Sequence, residues 1–444
     1  MVDLDIGAAG SRGRADECDA AEETYGAASE APDWGAGMKV PELRHEGDAL
    51  ILTWAGSGVR AEVEQLRRDR HDLHGEVTWY VDDPLVEYPH LHGAKLNMSS
   101  TRERDSLARY LEGRTDGMGI DWPVLIEQLC VLAKREDARG EPYVKIGKGS
   151  DAPEERRYRI ERLVEENQIT MLYGDSGAGK STIAVAAALS VQASALVLGL
   201  RPEPGPVLYL DYETDAGEQD KRIRAIAKGY GLADCPEIDY RHMVMPLADD
   251  ITSIRRRVDS EGISFVIVDS VGFACGGKPE DAETSLRMYL ALRQLNATKL
   301  VIHHVTGAQS QEKGRRHPFG SVYHVNVPRA HWEARAAPET ESITLRVALY
   351  NRWSNNAPRF RPMGYELTFA KDATYIKPSG IMDVPELAQG LSLTEQIAGA
   401  LRTGSLSVLE LAEHVDTTEG AIRTCLNKHK NRFVRVADKW GLLI

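Results

Sequence analysis

The spacing of hydrophobic and polar positions changes several times along the 444 residues of the chain. Residues 1–45 hold few large apolar side chains among Ala, Gly, Asp and Glu, and such a segment buries too little surface to offset the entropy lost on ordering. We therefore expect an acidic, disordered tail there. Residues 46–140 begin with short runs of alternating apolar and polar positions and end with two stretches of helical periodicity, which predicts a small α+β module.

A different pattern begins after residues 141–154, where Gly, Pro, Lys and Asp interrupt all periodicity and predict a linker. Over residues 155–375, runs that are apolar at almost every position alternate with helical stretches. Such runs are typical of strands covered on both faces, so we predict a largely parallel α/β sheet that ends in an antiparallel pair. The runs are ITMLYG, VLYLDYE, FVIVDS, KLVIHHV, ITLRVALY and GYELTF.

The last part of the chain has a third pattern. After a second predicted linker at residues 376–390, residues 391–444 contain three short helical stretches followed by a strand, a turn and a strand. This order of elements predicts a winged helix-turn-helix. Its last helix carries Arg423, Lys428 and Lys430, which suit a DNA groove, although many winged helices bind only other proteins.

Composition and charge narrow the choice of function class. With 42% hydrophobic and 27% charged residues, the chain has the composition of a soluble globular protein. The net charge of -13 argues against a protein that coats nucleic acid with its whole surface, so any such contact has to be local. The five cysteines lack C-x-x-C spacing and the acidic amino terminus lacks the basic start of a signal peptide, which favours a cytoplasmic protein. Residues 183–200 carry no charge, but Ser190, Gln192 and Ser194 within them favour a buried helix over a membrane span.

A glycine-rich motif follows the apolar run ITMLY and precedes an Ala-rich helical stretch. It meets G-x-x-x-x-G-K-[ST] at every position, in the strand, loop and helix order that phosphate binding needs. Its backbone N–H groups suit phosphate oxygens, Lys180 suits the β and γ phosphates, and the hydroxyl of Ser181 suits Mg2+. We therefore predict a binding site for ATP and Mg2+. The predicted nucleotide-binding residues are Gly174, Asp175, Ser176, Gly177, Ala178, Gly179, Lys180, Ser181 and Thr182.

Carboxylates at the ends of two other apolar runs complete the expected chemistry. Asp269 ends the run FVIVD and is the predicted second ligand of Mg2+, with a solvent-facing position in a strand-end turn as the alternative. Glu213 follows the run VLYLD, and we predict that it is the base that orients the attacking water. The alternatives are that Asp211 is the base or that Glu213 is a structural carboxylate at the start of a loop. The run KLVIHHV ends in His303 and His304; a sensor of the γ phosphate is one interpretation, with His304 preferred, and a structural role is the other. The predicted catalytic residues are Lys180, Glu213 and Asp269.

The order of these motifs resembles that of the RecA-like ATPases of the plasmid RepA replicative-helicase type, which are related to DnaB helicases. The resemblance rests on the motifs at residues 174–182, 209–213, 266–269 and 303–307 and covers residues 155–370. It implies a ring, usually of six subunits, with ATP between neighbouring subunits and single-stranded DNA in the central pore.

The resemblance also implies that two loops face the pore. The first loop comprises residues 276–281 and the second residues 308–320. The second contains Lys313, Arg315 and Arg316, which are the predicted DNA-binding residues because a local basic loop attracts a phosphate backbone. An ordinary solvated loop is the alternative interpretation.

A further implication is an arginine finger donated by the neighbouring subunit to the γ phosphate. The candidates are Arg329 and Arg352. DnaB-like relatives usually carry a lysine two positions before this arginine, whereas the chain has Tyr350 two positions before Arg352. A salt bridge within the subunit is the alternative for either arginine.

Three functions fit these patterns. The favoured one is an ATP-hydrolysing motor on DNA, a replicative helicase of a plasmid, phage or integrated element, with replication or recombination proteins as further partners. The second is an ATP-switched DNA-binding recombination or regulatory factor that does not unwind DNA. A small-molecule phosphotransferase is the third, and it is disfavoured because P-loop kinases generally carry an arginine-rich lid and lack a glutamate between these motifs.

Overall fold

The computed structural model describes residues 40–443 except 47–48, 70, 83–88, 140–155, 233, 306–315, 338–342, 356 and 383. The tail predicted for residues 1–39 and the linker predicted for residues 141–154 lie outside the described residues. Within the described ranges, no helix is both long enough and apolar enough to cross a membrane.

The amino-terminal module is an antiparallel sheet whose strands follow one another in sequence order. The strands are β1 (Glu42–Glu46), β2 (Ala49–Trp54), β3 (Val59–Asp69), β4 (Asp72–Val81) and β5 (His90–Asn97), and the helices α1 (Thr101–Arg114) and α2 (Trp122–Arg139) follow them. Trp79 stacks on Trp54 at 5.8 Å and meets Trp122 edge-on at 5.4 Å between ring centroids, so aromatic packing joins the sheet to α2. β1 begins inside the predicted tail, and this boundary is corrected: β1 is held by backbone pairing with β2 and buries few side chains.

The second part of the chain forms a nine-stranded sheet in the order β10-β9-β11-β12-β8-β13-β14-β15-β16. Its strands are β8 (Ile169–Gly174), β9 (Val207–Asp211), β10 (Asp239–His242), β11 (Phe265–Asp269), β12 (Thr298–His304), β13 (Ala330–Ala336), β14 (Thr344–Ser354), β15 (Met363–Phe369) and β16 (Thr374–Ser379), preceded by the separate hairpin of β6 (Tyr158–Ile160) and β7 (Val164–Glu165). The strands from β10 to β13 in this order are parallel, and the last three are antiparallel. The predicted largely parallel α/β sheet is confirmed.

Helices cover both faces of the central strands. They are α3 (Lys180–Gln192), α4 (Ala216–Gly229), α5 (Ile251–Ser260), α6 (Val271–Ala274), α7 (Ala282–Arg293) and α8 (Tyr323–Asn326). Successive residues of one strand alternate between two cores: Leu172 packs in the core that contains α3, and Met171 packs in the core that contains α7. This alternation between two buried faces explains why the strand runs are apolar at nearly every position.

The carboxyl-terminal part has its own small core. Its elements are α9 (Pro385–Ala388), α10 (Leu393–Ala400), α11 (Val408–His414), α12 (Glu419–Lys428), β17 (Phe433–Val436) and β18 (Lys439–Leu442). Ile397, Leu411 and Leu426 are fully buried within it. The predicted order of helices and strands is present, while the winged-helix assignment stays a prediction. The predicted linker at 376–390 is corrected, because β16 extends to residue 379 and Leu387 packs against Tyr350 of the large sheet.

Candidate nucleotide site

Parallel strands bring the predicted site residues to one edge of the large sheet. β12 lies between β8, which precedes the glycine-rich loop, and β11, which ends in Asp269. Gly174 pairs with His304 across β8 and β12, and Asp269 pairs with Asp211 across β11 and β9. Because these strands run in the same direction, all four residues lie at the carboxyl edge, where ligands bind in open α/β sheets.

Three glycines allow the glycine-rich loop to follow its path. A Cβ atom on Gly174 would lie 2.2 Å from the carbonyl oxygen of Ala334, so the backbones of β8 and β13 approach too closely for a side chain. Gly177 and Gly179 have φ angles of +75° and +74°, in the left-handed region that favours glycine. The loop then enters α3, whose first N–H groups attract phosphate.

Lys180 is 5% exposed, and its ammonium group folds back over this loop. Nζ donates to the carbonyl oxygens of Asp175 at 2.7 Å and Gly174 at 3.1 Å, and it lies 3.5 Å from Nδ1 of His304. Burial lowers the pKa of Lys180, while nearby carboxylates, first that of Asp269, oppose the shift. The structure thus places the ammonium group among the carboxylates and carbonyls that surround the loop.

Asp269 is buried and has one carboxylate oxygen left for a ligand. Oδ2 accepts a hydrogen bond from the hydroxyl of Tyr209 at 2.9 Å, whereas the buried Oδ1 has no hydrogen-bond partner among the described residues. Burial raises the pKa of Asp269, and the nearby hydroxyl of Ser181 opposes the shift. A carboxylate oxygen without a donor, beside a hydroxyl, fits Mg2+, which takes few protein ligands and keeps its other positions for phosphate and water. Ser181 and Asp269 are therefore the residues that would hold Mg2+.

Glu213 directs its carboxylate into the same space. Oε1 accepts a hydrogen bond from the hydroxyl of Ser270 at 2.6 Å and lies 3.1 Å from Nε2 of His304. The hydrogen bond with His304 contributes most to lowering the pKa of Glu213 to about 2, although partial burial acts in the other direction. Asp211 instead accepts hydrogen bonds from the backbone N–H groups of Glu213 and Thr214, at 2.9 and 3.0 Å. Asp211 thus shapes the loop, and Glu213 is the better placed of the two to act as a base.

The two histidines at the end of β12 face opposite sides of the sheet. His304 lies between Lys180 and Glu213, and both contacts are satisfied when Nδ1 accepts and Nε2 donates. His303 is 1% exposed and its Nε2 donates to the carbonyl of Phe319 at 2.7 Å. Burial lowers the pKa of His303 to about 3. The sensor prediction for His303 is therefore corrected, because its ring is buried away from the cleft in contact with residue 319.

These residues line a cleft of about 340 Å³ whose far wall is apolar. Leu345 of β14 and Phe369 of β15 form that wall, and Phe369 is 41% exposed. The lining residues are Ser176, Gly177, Gly179, Lys180, Ser181, Thr182, Glu213, Asp269, His304, Leu345 and Phe369. Sequence reasoning missed Leu345, Phe369 and Ser270. The apolar runs predict the strands β14 and β15. However, no spacing of residues in the sequence indicates that these two strands lie beside the glycine-rich loop.

The residues predicted to bind DNA do not share one environment. Lys313 and Arg315 lie outside the described residues. Arg316 is 9% exposed, its guanidinium pairs with Asp175, and its Nε lies 3.9 Å from Oε1 of Glu333. The DNA-binding prediction for Arg316 is corrected, because a buried guanidinium engaged with carboxylates is not presented to a DNA backbone.

The candidate finger Arg352 is engaged within the subunit. Its Nε donates to Oε2 of Glu333 at 2.6 Å, and its guanidinium lies 4.4 Å from the ring centroid of Tyr350. Glu333 is fully buried and also accepts a hydrogen bond from Arg335 at 2.5 Å. The structure therefore shows the salt-bridge alternative for Arg352, and its finger prediction is corrected. Arg329 is half-buried, and its role stays a prediction.

The two predicted pore loops are joined at one carbonyl group. The carbonyl oxygen of Pro279, in the first loop, accepts hydrogen bonds from the backbone N–H of Ser321 at 2.9 Å and from Nε2 of His324 at 2.9 Å. The hydroxyl of Ser285 lies 3.1 Å from the same oxygen. A Cβ atom on Gly320 would lie 2.5 Å from it, so the backbones of the first loop and of the end of the second are in direct contact.

Comparison with known proteins supports the assignment of a P-loop domain. The AAA domain family matches residues 134–310, which is less than half of the chain and includes the glycine-rich loop, Glu213 and Asp269. No curated protein matches the chain. Among solved structures, a KaiC-like protein from the hyperthermophilic archaeon Pyrococcus horikoshii OT3 is similar, with a TM-score of 0.36 and 14% identity over 51% of this chain and 100% of that one. Because the AAA domain family matches residues 134–310, this part of the chain is a nucleotide-binding P-loop domain similar to those of AAA-type ATPases.

Proposed function

We propose that the chain is an ATP-hydrolysing, RecA-like motor that acts on DNA as a ring-forming replicative helicase. The observation that carries the proposal is the presence of Lys180, Asp269 and Glu213 in a single cleft. Binding of the phosphates with Mg2+ accounts for Lys180 and Asp269, whereas hydrolysis also needs a group, here Glu213, that orients water. The glutamate just after β9 also supports the RecA-like assignment.

In this proposal the glycine-rich loop and Lys180 bind the phosphates of ATP. The hydroxyl of Ser181 and the carboxylate of Asp269 would hold Mg2+, which would supply positive charge that neutralises the phosphates. Leu345 and Phe369 offer an apolar surface at the other end of the cleft, where an aromatic ring can stack on the nucleobase.

Glu213 orients the water that attacks the γ phosphate. Its carboxylate stays ionised across the neutral range, because its pKa is lowered to about 2. Ser270 and His304 hold Oε1, so the direction of the carboxylate is set before a water binds. His304 also contacts Lys180, and a γ phosphate that attracts Lys180 therefore alters the surroundings of Glu213. This link is the physical basis for a sensor role of His304.

Single-stranded DNA is the proposed partner of the loop that carries Lys313 and Arg315. Because the chain has a net charge of -13, its DNA contacts have to be confined to such local basic segments. The exposed residues Arg423 and Lys428 on α12, with Lys430 just after the helix, form a second basic segment that suits DNA. A ring of six, cytoplasmic localisation and contacts with replication or recombination proteins complete the proposal.

The test compares ATP hydrolysis with and without single-stranded DNA. We expect DNA to stimulate the wild-type chain, Lys180→Ala to abolish hydrolysis, and the double variant Lys313→Ala, Arg315→Ala to keep basal hydrolysis but lose stimulation. Arg316 is left intact because it is buried. The matched control, Lys95→Ala with Arg102→Ala, removes two exposed cations from the amino-terminal module and should leave stimulation unchanged. Stimulation that survives loss of Lys313 and Arg315 contradicts the assigned DNA contact.

An ATP-switched DNA-binding factor is the second candidate, and the engagement of Arg352 with Glu333 favours it. A motor needs a finger that reaches the neighbouring nucleotide, and this candidate is held by Glu333. Unwinding of a forked DNA substrate distinguishes the two. Separation of strands driven by ATP supports the motor, whereas ATP-dependent binding without separation supports the switch.

A further inference from the structure

Asp175 introduces a negative charge into the glycine-rich loop. It occupies the second position of the motif, and its backbone carbonyl accepts a hydrogen bond from Lys180 at 2.7 Å. A polyphosphate that binds the same loop carries several negative charges, and like charges this close repel one another. A further cation beside this carboxylate therefore reduces its repulsion of a bound polyphosphate.

Arg316 supplies that cation. It lies 141 residues further along the chain, and its guanidinium is paired with the carboxylate of Asp175. Its backbone is fixed as well, because the carbonyl of Arg316 accepts a hydrogen bond from the hydroxyl of Tyr173 at 2.9 Å. Both the side chain and the main chain of Arg316 are thus attached to β8 or to the loop that follows it.

The same segment also reaches the candidate sensor. The backbone N–H of Phe319 donates to the carbonyl oxygen of His304 at 2.9 Å, three residues after Arg316. Residues 316–319 therefore connect the first turn of the glycine-rich loop with the strand end that contacts Glu213.

The guanidinium of Arg316 is not required to neutralise the buried carboxylate of Glu333. Glu333 is fully buried and is paired with Arg335 at 2.5 Å and Arg352 at 2.6 Å, whereas Nε of Arg316 lies farther away, at 3.9 Å. Removal of the guanidinium leaves Glu333 with two close arginines. Asp175, in contrast, loses the cation that is paired with it.

We propose that Arg316 is a positioning residue for nucleotide binding, which neutralises Asp175 and holds the glycine-rich loop in the conformation that accepts a polyphosphate. This inference rests on the proposed nucleotide site and assigns a role to a residue that does not itself line the cleft. It predicts that the damage caused by loss of Arg316 comes from the charge of Asp175 that Arg316 then no longer neutralises.

The test measures the affinity of the full chain for MgADP by titration calorimetry in a double-mutant cycle. We expect Arg316→Gln to weaken binding roughly tenfold, the size typical of one uncompensated charge several ångströms from a polyphosphate. Asp175→Asn alone measures binding by the loop without its carboxylate charge. Adding Asp175→Asn to Arg316→Gln should bring binding to within about threefold of that value, because the repelling charge is then absent. Arg335→Gln is the matched control, since it removes an arginine from Glu333 without touching the pair with Asp175.

Recovery in the double variant separates electrostatic positioning from simple damage to the fold, which a second substitution would not repair. Unchanged affinity in Arg316→Gln, or a double variant that binds no more tightly than Arg316→Gln, overturns the inference. The proposed motor fails on a separate observation, namely hydrolysis by the wild-type chain that does not respond to DNA.

Discussion

Nε2 of His304 lies 3.1 Å from Oε1 of Glu213, and the other nitrogen of the same ring lies 3.5 Å from Nζ of Lys180. One imidazole therefore contacts both the cation expected to bind the γ phosphate and the carboxylate expected to orient water. A change at the phosphates can reach the base through a single side chain, without any movement of the strands.

Replacement of the proposed base should separate binding from hydrolysis. We expect Glu213→Gln to lower kcat by about 10²- to 10⁴-fold, the range typical of a positioned general base, while MgADP affinity stays unchanged. Single-turnover hydrolysis and a binding titration measure the two quantities. Glu218→Gln, which removes an exposed carboxylate from the first turn of α4, is the control and should hydrolyse normally. Wild-type turnover in Glu213→Gln would show that another group orients the water.

Loss of His304 should change the pH dependence of hydrolysis. His304 is the main cause of the low pKa of Glu213, which is about 2, so His304→Ala should raise that pKa towards the ordinary value of about 4.3. Glu213 would then become protonated at a higher pH as acid is added. We expect the acid limb of the plot of kcat against pH to move to higher pH in His304→Ala. A limb that stays in place would show that Glu213 is ionised independently of His304.

Protein stability should depend on pH through His303. Its folded pKa of about 3 lies below the unfolded value of about 6.5, so the unfolded chain binds more protons between these values. The contribution of His303 to stability is therefore complete above pH of about 6.5 and falls as the pH is lowered, by at most about 1.4 kcal/mol per pH unit. His303→Gln retains a donor for the carbonyl of Phe319 and should flatten the decrease in Tm between neutral and acidic pH. An unchanged slope would assign the acid sensitivity to other groups.

The apolar wall of the cleft should contribute to the affinity for ATP and not to the rate of hydrolysis. We expect Phe369→Ala to raise the KM for ATP by about fivefold or more, since stacking of a base on an aromatic ring contributes about 1–3 kcal/mol, with kcat unchanged. Inhibition by tripolyphosphate, which lacks a base, should not change. Tyr375→Ala removes another exposed aromatic side chain, outside the cleft lining, as a control. Equal weakening of tripolyphosphate and ATP would mean that Phe369 supports the loop and does not contact the base.

The two candidate arginines should behave differently. Arg352→Ala removes one partner of the buried Glu333 and should lower the free energy of unfolding by about 1–3 kcal/mol, measured by urea denaturation. Arg329→Ala should leave stability unchanged and lower hydrolysis only in the assembled protein.

Mixing Arg329→Ala subunits with Lys180→Ala subunits tests the finger directly. If Arg329 acts on the neighbouring nucleotide, some interfaces in mixed assemblies combine an intact Lys180 with an intact Arg329, and hydrolysis reappears. Mixtures that stay inactive argue that Arg329 acts within its own subunit.

Local patterns were enough to predict the sheet and the central part of the site. Met171 and Leu172 are neighbours in sequence and are both buried, so a run without polar positions indicates a strand covered on both faces. Lys180 and Asp269 could be predicted because their chemistry depends on motifs within one strand and the loop after it. The placement of Phe369 could not be predicted, because it depends on antiparallel strands that join the sheet far along the chain.

Arg316 shows why charge patterns mislead when the partner is distant. In the sequence, Arg316 follows Lys313 and Arg315 in a polar loop, where a solvent-exposed or DNA-binding arginine is expected. Its partner Asp175 is 141 residues away, and Glu333 lies on a strand that was not identified as carrying a buried charge. No spacing within the loop indicates an ion pair of this kind.

The carbonyl oxygen of Pro279, in the first loop, accepts hydrogen bonds from residues that follow the second loop. This contact limits how either loop can be replaced. The residues that follow the second loop donate two hydrogen bonds to this acceptor, and a Cβ atom on Gly320 would lie 2.5 Å from it. A chimaera that receives only one of the two loops from another protein would therefore have to reproduce this close backbone approach. We expect the two segments to tolerate transplantation only as a matched pair.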